Sequence, residues 1–260
     1  MPAPLYTADN CTPAYQLDWS YSVFWRSTPT DFSWLDQLRA ACEPDHIRLL
    51  EHQFDQPNVS KFLISTQPDV APLHLAQRVK GRLQHLIRHT MPAAFRRNYG
   101  LRSVGSTKRE KLDHYLQGQL VHHPMADPKV QERLRKYQIH NPDVDLSEPS
   151  RTTHALYWYN LHLVLVNDWR GIEIRDSVLQ AIHDTILKAS KAKGHRLSRG
   201  AILADHIHLT MRCKLEESPQ DVALSYINNL AYAQGMKAVF KYSYFVGTFG
   251  EYDLGVIPRP

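Results

Sequence analysis

The chain has 260 residues, 43% hydrophobic and 22% charged, with 31 Lys and Arg against 26 Asp and Glu for a net charge of +5. That composition excludes a disordered chain and allows one good core or two smaller ones, and no apolar run reaches membrane-spanning length. Cys11, Cys42 and Cys213 are too few and too scattered for a disulfide framework and are expected as buried thiols, while the excess of base leans toward an acidic partner such as nucleic acid.

Met1-Pro2-Ala3-Pro4 does not begin a signal peptide, so a cytoplasmic protein is expected. Tyr15 to Trp25 alternates and is rich in aromatics, as a strand is. Asp31 or Ser33 can cap a short helix to about Ala41, and strands follow over His46–His52 and Val59–Thr66. A helix runs from about Val70 to His89, a strand from Tyr99 to Val104 ends at Gly105, and a helix spans Lys108 to about Val121. Pro124, Pro128, Pro142 and Pro149 then punctuate a linker, 124–153, whose middle (Lys129–Ile139) can form a short helix and which, if flexible, reaches roughly 30 Å.

The second half repeats the order. His154–Val166 reads as an aromatic-rich strand, Ile174–Lys193 as a helix, Arg196–Ala204 and His206–Arg212 as strands, Pro219–Ala233 as a helix and Tyr244–Thr248 as a last strand. Asp69-Val70-Ala71 and Asp221-Val222-Ala223 open matching helices, and Tyr99 stands as far before Gly105 as Tyr244 before Gly250. Such self-similarity indicates duplicated units, 1–123 and 154–260.

His206 and His208 lie on one face of their strand, roughly 6–7 Å apart, where two imidazoles can grip one divalent ion. With 15 histidines in the chain, about one such pair is expected by chance, so the motif matters only with its surroundings. His122-His123 reads as solvent-exposed, and His183 and His195 have no partner at ligand spacing. Trp19, Trp25, Trp158 and Trp169 read as sheet packing.

Residues 78–111 hold Arg78, Lys80, Arg82, Arg88, Arg96, Arg97, Arg102, Lys108, Arg109 and Lys111 against the single acid Glu110. A solvated face is the usual source of such a run, but its density favours a phosphate-binding surface, with Phe95 or Tyr99 able to stack on bases. Tyr226–Phe240 in the second half carries only Lys237, so nucleic-acid binding is expected to be asymmetric.

Strand, helix, strand, His-hydrophobe-His strand, helix and Tyr244-Phe-Val-Gly-Thr-Phe-Gly250 together resemble the single-tyrosine HUH transposases, the TnpA-type and REP-associated tyrosine transposases. The resemblance covers nearly the whole chain, once per half. It implies an α+β fold of two ferredoxin-like domains, antiparallel sheets with helices on one face, forming a pseudo-dimer. It also implies cutting and rejoining of single-stranded DNA at hairpin ends by a tyrosine on the helix after the final glycine, with a polar metal ligand four residues on. In the first half Tyr115 and Gln119 fall at those positions, and i,i+4 spacing gives them one helix face. Val59 and Lys61 stand where that half's histidines would be. In the second half His206 and His208 match, but only Glu251–Pro260 follow Gly250; Pro260 takes the nucleophile's place and Tyr252 precedes it by about two turns.

The losses are complementary, so the resemblance implies one composite site. His206, His208 and Gln119 would hold Mg²⁺ or Mn²⁺, two imidazoles suiting Mn²⁺ at least as well, and Tyr115 would form a 5′-phosphotyrosine. Its deprotonation needs the metal, Lys111, His114 or water. A domesticated hairpin or single-stranded DNA binder that does not cut is the alternative, and an RNA-binding tandem of similar sheets a third.

Overall fold

The computed structural model describes residues 3–122, 127–168 and 172–250. The expectations for His123, Pro124, Trp169 and 251–260 lie outside the described residues. No helix among them is long and apolar enough to cross a membrane.

The first half runs β1 (Thr12–Gln16), β2 (Asp18–Trp25), α1 (Trp34–Cys42), β3 (Ile47–Gln56), β4 (Val59–Thr66), α2 (Pro72–Ile87), β5 (Phe95–Val104) and α3 (Arg109–His122). Then come α4 (Pro128–Arg135), β6 (Ile139–His140) and β7 (Ser150–Arg151). The second half runs β8 (Ala155–Trp158), β9 (Asn160–Asn167), α5 (Asp176–Lys193), β10 (Arg196–Ile202), β11 (His206–Arg212), α6 (Pro219–Ala233) and β12 (Phe240–Thr248). The result is a mixed α and β molecule with two six-stranded sheets, ordered β3-β4-β2-β5-β8-β7 and β1-β12-β9-β11-β10-β6. Within each, four antiparallel strands share one connectivity: β5-β2-β4-β3 in one and β12-β9-β11-β10 in the other.

Two expected strands each prove to be two. Tyr15–Trp25 is cut at Leu17: β1 pairs parallel with β12 of the second sheet, whereas β2 lies in the first. His154–Val166 is cut at Tyr159: β8 pairs parallel with β5 of the first sheet, whereas β9 lies in the second. Each half thus lends the strand before its first core strand to the other half's sheet, β1 as its edge and β8 between β5 and the edge strand β7. Leu17 and Tyr159 are both buried, so the apolar run continues through each crossing and nothing in it marks a change of sheet.

The crossings are tied by reciprocal hydrogen bonds. The Asp18 amide donates to Thr248 Oγ1 (2.8 Å) and the Asn160 amide to Ser103 Oγ (3.1 Å). Thr248 Oγ1 in turn donates to the Val104 carbonyl (2.6 Å) and Ser103 Oγ to the Phe249 carbonyl (3.0 Å). The backbones approach so closely that a Cβ on Gly105 would strike the Thr248 carbonyl oxygen, and one on Gly250 would lie 2.6 Å from that of Ser103. Gly250 also has φ +146°, which only glycine adopts readily.

The stretch between the halves packs rather than spans. Leu134, Tyr137, Ile139 and Leu146 are buried, and β6 pairs with β10. The expected helix ends at Arg135, with Ile139 already in β6. Arg212, nearly buried, reaches Asn160 Oδ1 (3.0 Å) and the carbonyls of Leu146 (2.5 Å) and Glu148, and burial lowers its pKa to about 10. All three cysteines are buried free thiols. β3, β5 and β12 are longer than expected, because each continues past a register irregularity that breaks the apolar alternation, taking in Phe54, Phe95 and Phe240.

Candidate active site

The two faces of β11 have different neighbours. Ile207, Leu209 and Met211 enter the main core with Leu179 and Ile186 of α5 and Val222, Tyr226 and Leu230 of α6. His206, His208 and Thr210 therefore look out of the other face, where alternation along the strand had put them. Helix α3, encoded in the first half, lies over that second-half face. Leu112 and Leu116 are buried with Ala201 of β10, Phe249 and Leu146, a packing worth about 2 kcal/mol for each leucine. Arg109 pairs with Asp145 (2.9 Å) and Asp113 with Arg199 of β10 (3.4 Å), fixing the helix at its first turns.

This placement brings together residues far apart in sequence. The Tyr115 ring stands edge-on to the His208 imidazole, with centroids 5.8 Å apart, and Tyr115 is 45% exposed. His206 and His208 are 4.8 Å apart between ring centroids. One turn beyond Tyr115, Gln119 is fully buried; its Nε2 donates weakly to the Tyr115 carbonyl (3.4 Å). Its Oε1 is buried with no hydrogen-bond donor among the described residues.

A third histidine, His162 on β9, belongs to the cluster. Its Nε2 lies 2.9 Å from His208 Nδ1, with the rings stacked at 5.2 Å and 12°. Burial lowers its pKa to about 4, so it is a neutral imidazole near pH 7. Sequence reading passed over it as one residue of a strand. Only the pairing of β9 with β11, which sets His162 opposite Thr210 and Val164 opposite His208, carries it here. Asp205 Oδ1 sits 2.7 Å from His206 Nδ1. Both outer contacts are to Nδ1, so coordination of a cation by either imidazole would use Nε2.

Among the described residues no group of three or more His, Cys, Asp or Glu is arranged to hold a metal ion. A third protein ligand beside His206 and His208 would have to come from another side-chain type. A buried amide oxygen lacking a donor fits that need, and a set of two imidazoles and one amide oxygen suits a borderline cation better than Mg²⁺.

The ten basic residues do not form one surface. Lys80 Nζ donates to the carbonyls of Arg96 (2.5 Å) and Arg97 (3.0 Å), Arg82 pairs with Asp45 (2.6 Å) and Arg109 with Asp145. The Arg102 guanidinium lies 4.3 Å over the Trp158 ring. Arg78, Arg88, Arg96, Arg97, Lys108 and Lys111 are exposed, on α2, at the start of β5 and around the first turn of α3. Phe95 is buried against Trp25 (4.5 Å) and Tyr99 packs beside Tyr21 (6.0 Å). His195 is held by Glu217 (2.6 Å) and Tyr226 (3.2 Å), and His183 by Asp184 (2.9 Å). His122 is exposed, and Trp19, Trp25 and Trp158 are buried.

No family model matches the chain, and no curated protein matches it. Among solved structures, a candidate transposase from Deinococcus radiodurans R1 is similar at 15% identity and TM-score 0.31, covering 41% of this chain and 92% of that one. A REP-associated tyrosine transposase bound to a REP hairpin is similar at 12% and 0.32, covering 36% of this chain and 57% of that one. A candidate glycine cleavage system transcriptional repressor is similar at 9% and 0.24, covering 90% and 97%. Likenesses at this level do not assign a chemistry, which has to be argued from the side chains.

Proposed function

We propose that the chain is a metal-dependent enzyme that nicks and joins single-stranded DNA through a 5′-phosphotyrosine. In this reading two ferredoxin-like units, 1–123 and 154–260, form a pseudo-dimer with one composite site. The observation that carries it is the 5.8 Å approach of the first half's Tyr115 ring to His208 of the second half, with Gln119 buried on the same helix. The reciprocal hydrogen bonds at the strand crossings support descent of the halves from one unit.

Tyr115 Oη attacks the scissile phosphorus, the bond from phosphorus to the 3′-oxygen breaks, and that oxygen takes up a proton as the 3′-OH. Joining is the reverse: a 3′-OH attacks the phosphotyrosine and Tyr115 leaves. His206, His208 and Gln119 would hold Mg²⁺ or Mn²⁺, which when bound neutralises charge on the phosphate and orients it. His162 and Asp205 fix the two imidazoles from behind. Lys111 and His114, both exposed on α3 within four residues of Tyr115, are the side chains that would take the phenolic proton.

The test is incubation of a 5′- or 3′-labelled hairpin-bearing oligonucleotide with protein and Mn²⁺. Wild-type protein should give a covalent adduct and a nicked product. Tyr115→Phe should lose both, by about a thousandfold or more in rate. A variant that cuts as well as wild type would sink the nucleophile assignment; DNA binding with no cutting by either protein would favour the non-catalytic binder.

A further inference from the structure

We infer that a hollow at the foot of the tyrosine helix is a base-reading pocket, which takes one unpaired nucleobase of the DNA strand, guanine fitting best. It rests on the single-stranded DNA reading above and adds a specificity element to it. The hollow has a volume of about 450 Å³ and is lined by Gln16, Asp18, Leu50, Leu63, Val104, Gly105, Ser106 and Lys108. It lies where the first half's sheet meets β1, beside the turn from β5 into α3.

Its lining is divided as a flat heteroaromatic ring requires. Leu50, Leu63 and Val104 give apolar walls, and Leu50 is 40% exposed, an aliphatic side chain presented to solvent beside a polar floor. The polar side of the lining is a short chain in which Ser106 Oγ donates to Gln16 Oε1 (3.3 Å) and Gln16 in turn hydrogen-bonds the Asp18 carboxylate. Asp18 is half-buried and its carboxylate is held by Gln16, while its amide is bonded to Thr248 Oγ1, so the carboxylate is part of the lining and not loose in solvent.

A carboxylate on the floor argues against a phosphate there. The two oxygens of the Asp18 carboxylate instead match a base edge with two adjacent donors, and guanine offers that with N1–H and its exocyclic amino group. Cytosine offers one donor and thymine none beyond its single imino N–H. Lys108 at the rim supplies the charge for the flanking phosphate. Lys108 is seven residues before Tyr115, which along a helix axis is roughly 10 Å. A strand lying along α3 can therefore put one base in the hollow and a nearby phosphate at the tyrosine. Gly105 lets the turn from β5 into α3 pass directly against the Thr248 backbone, which fixes the hollow's position beside the second sheet.

The test uses full-length protein carrying Tyr115→Phe, so that binding is read without cutting. The probes are oligonucleotides bearing a hairpin and a single-stranded flank in which each flank position is in turn G, A, C, T or abasic. The expected result is one flank position at which G binds at least tenfold tighter than T or the abasic site. Asp18→Asn should reduce that ratio below threefold, and Leu50→Trp, filling the hollow from an exposed position, should abolish it, both leaving hairpin affinity and Tm near the parent's. DNA binding with no base preference, or a preference that neither substitution moves, overturns this inference alone and leaves the nicking reading standing. No binding to any probe overturns both. A guanine preference lost in both variants supports the pocket even where wild-type protein does not cut.

Discussion

Counted from Asp18 and Asn160, whose amides make matching bonds, Lys61 of β4 and His208 of β11 hold equivalent places, opposite Ser22 and Val164. The environments differ. Lys61 is fully buried and pairs with Asp55 at 3.2 Å, whereas His208 sits between His162 and the Tyr115 ring beneath α3. One position on one sheet design can serve in a buried ion pair or in a cluster of imidazoles. What decides is the neighbour laid over it, and here that neighbour comes from the other half of the chain.

This comparison is sharpest at the two positions themselves. Lys61→Ala should cost about 3–5 kcal/mol in urea unfolding, because it strands the Asp55 carboxylate, and should leave Mn²⁺ affinity unchanged. His208→Ala should do the opposite, weakening Mn²⁺ binding by calorimetry by about 10- to 100-fold at a cost of about 1 kcal/mol in stability. Equal stability losses, or equal metal effects, would show that the two faces are not specialised in this way.

The contact between halves offers a second contrast. Gly105→Ala should destabilise by about 2–3 kcal/mol, since its Cβ meets backbone that cannot swing aside. Gly81→Ala on α2, with open space around its Cβ, should stabilise by about 0.5–1 kcal/mol through helix propensity. Both are read from urea midpoints at constant slope. A tolerated Gly105→Ala would mean that the β5–α3 turn can move away from Thr248.

The order of elements was legible because alternation and helical period are local properties, and α5 and α6 lie within two residues of where the pattern puts them. The approach of α3 to β11 followed from what each half lacked. Three things were illegible for one reason: they depend on which strand pairs with which. Leu17 and Tyr159 change sheet inside unbroken apolar runs. His162 reaches His208 only through the β9–β11 register. The hollow beside Lys108 combines Gln16 of β1 with Leu50, Leu63 and Val104 of another sheet.

Charge patterning was legible as a count and not as a surface, and the smallest predicted effect separates the two. Each cation that neutralises a phosphate of a single strand contributes roughly 0.7 to the slope of log Kd against log salt. Lys111, exposed on α3, should contribute that amount, so Lys111→Ala should flatten the slope by 0.5–1 without altering the urea midpoint. Arg82 is held by Asp45 on the opposite, helical side of the first sheet, so Arg82→Ala should lower stability and leave the slope as it was. Titration of a fluorescent single-stranded oligonucleotide across a range of KCl measures both. If Arg82→Ala flattens the slope as much as Lys111→Ala, the strand also tracks α2, and binding is spread over the first half instead of concentrated at the foot of the tyrosine helix.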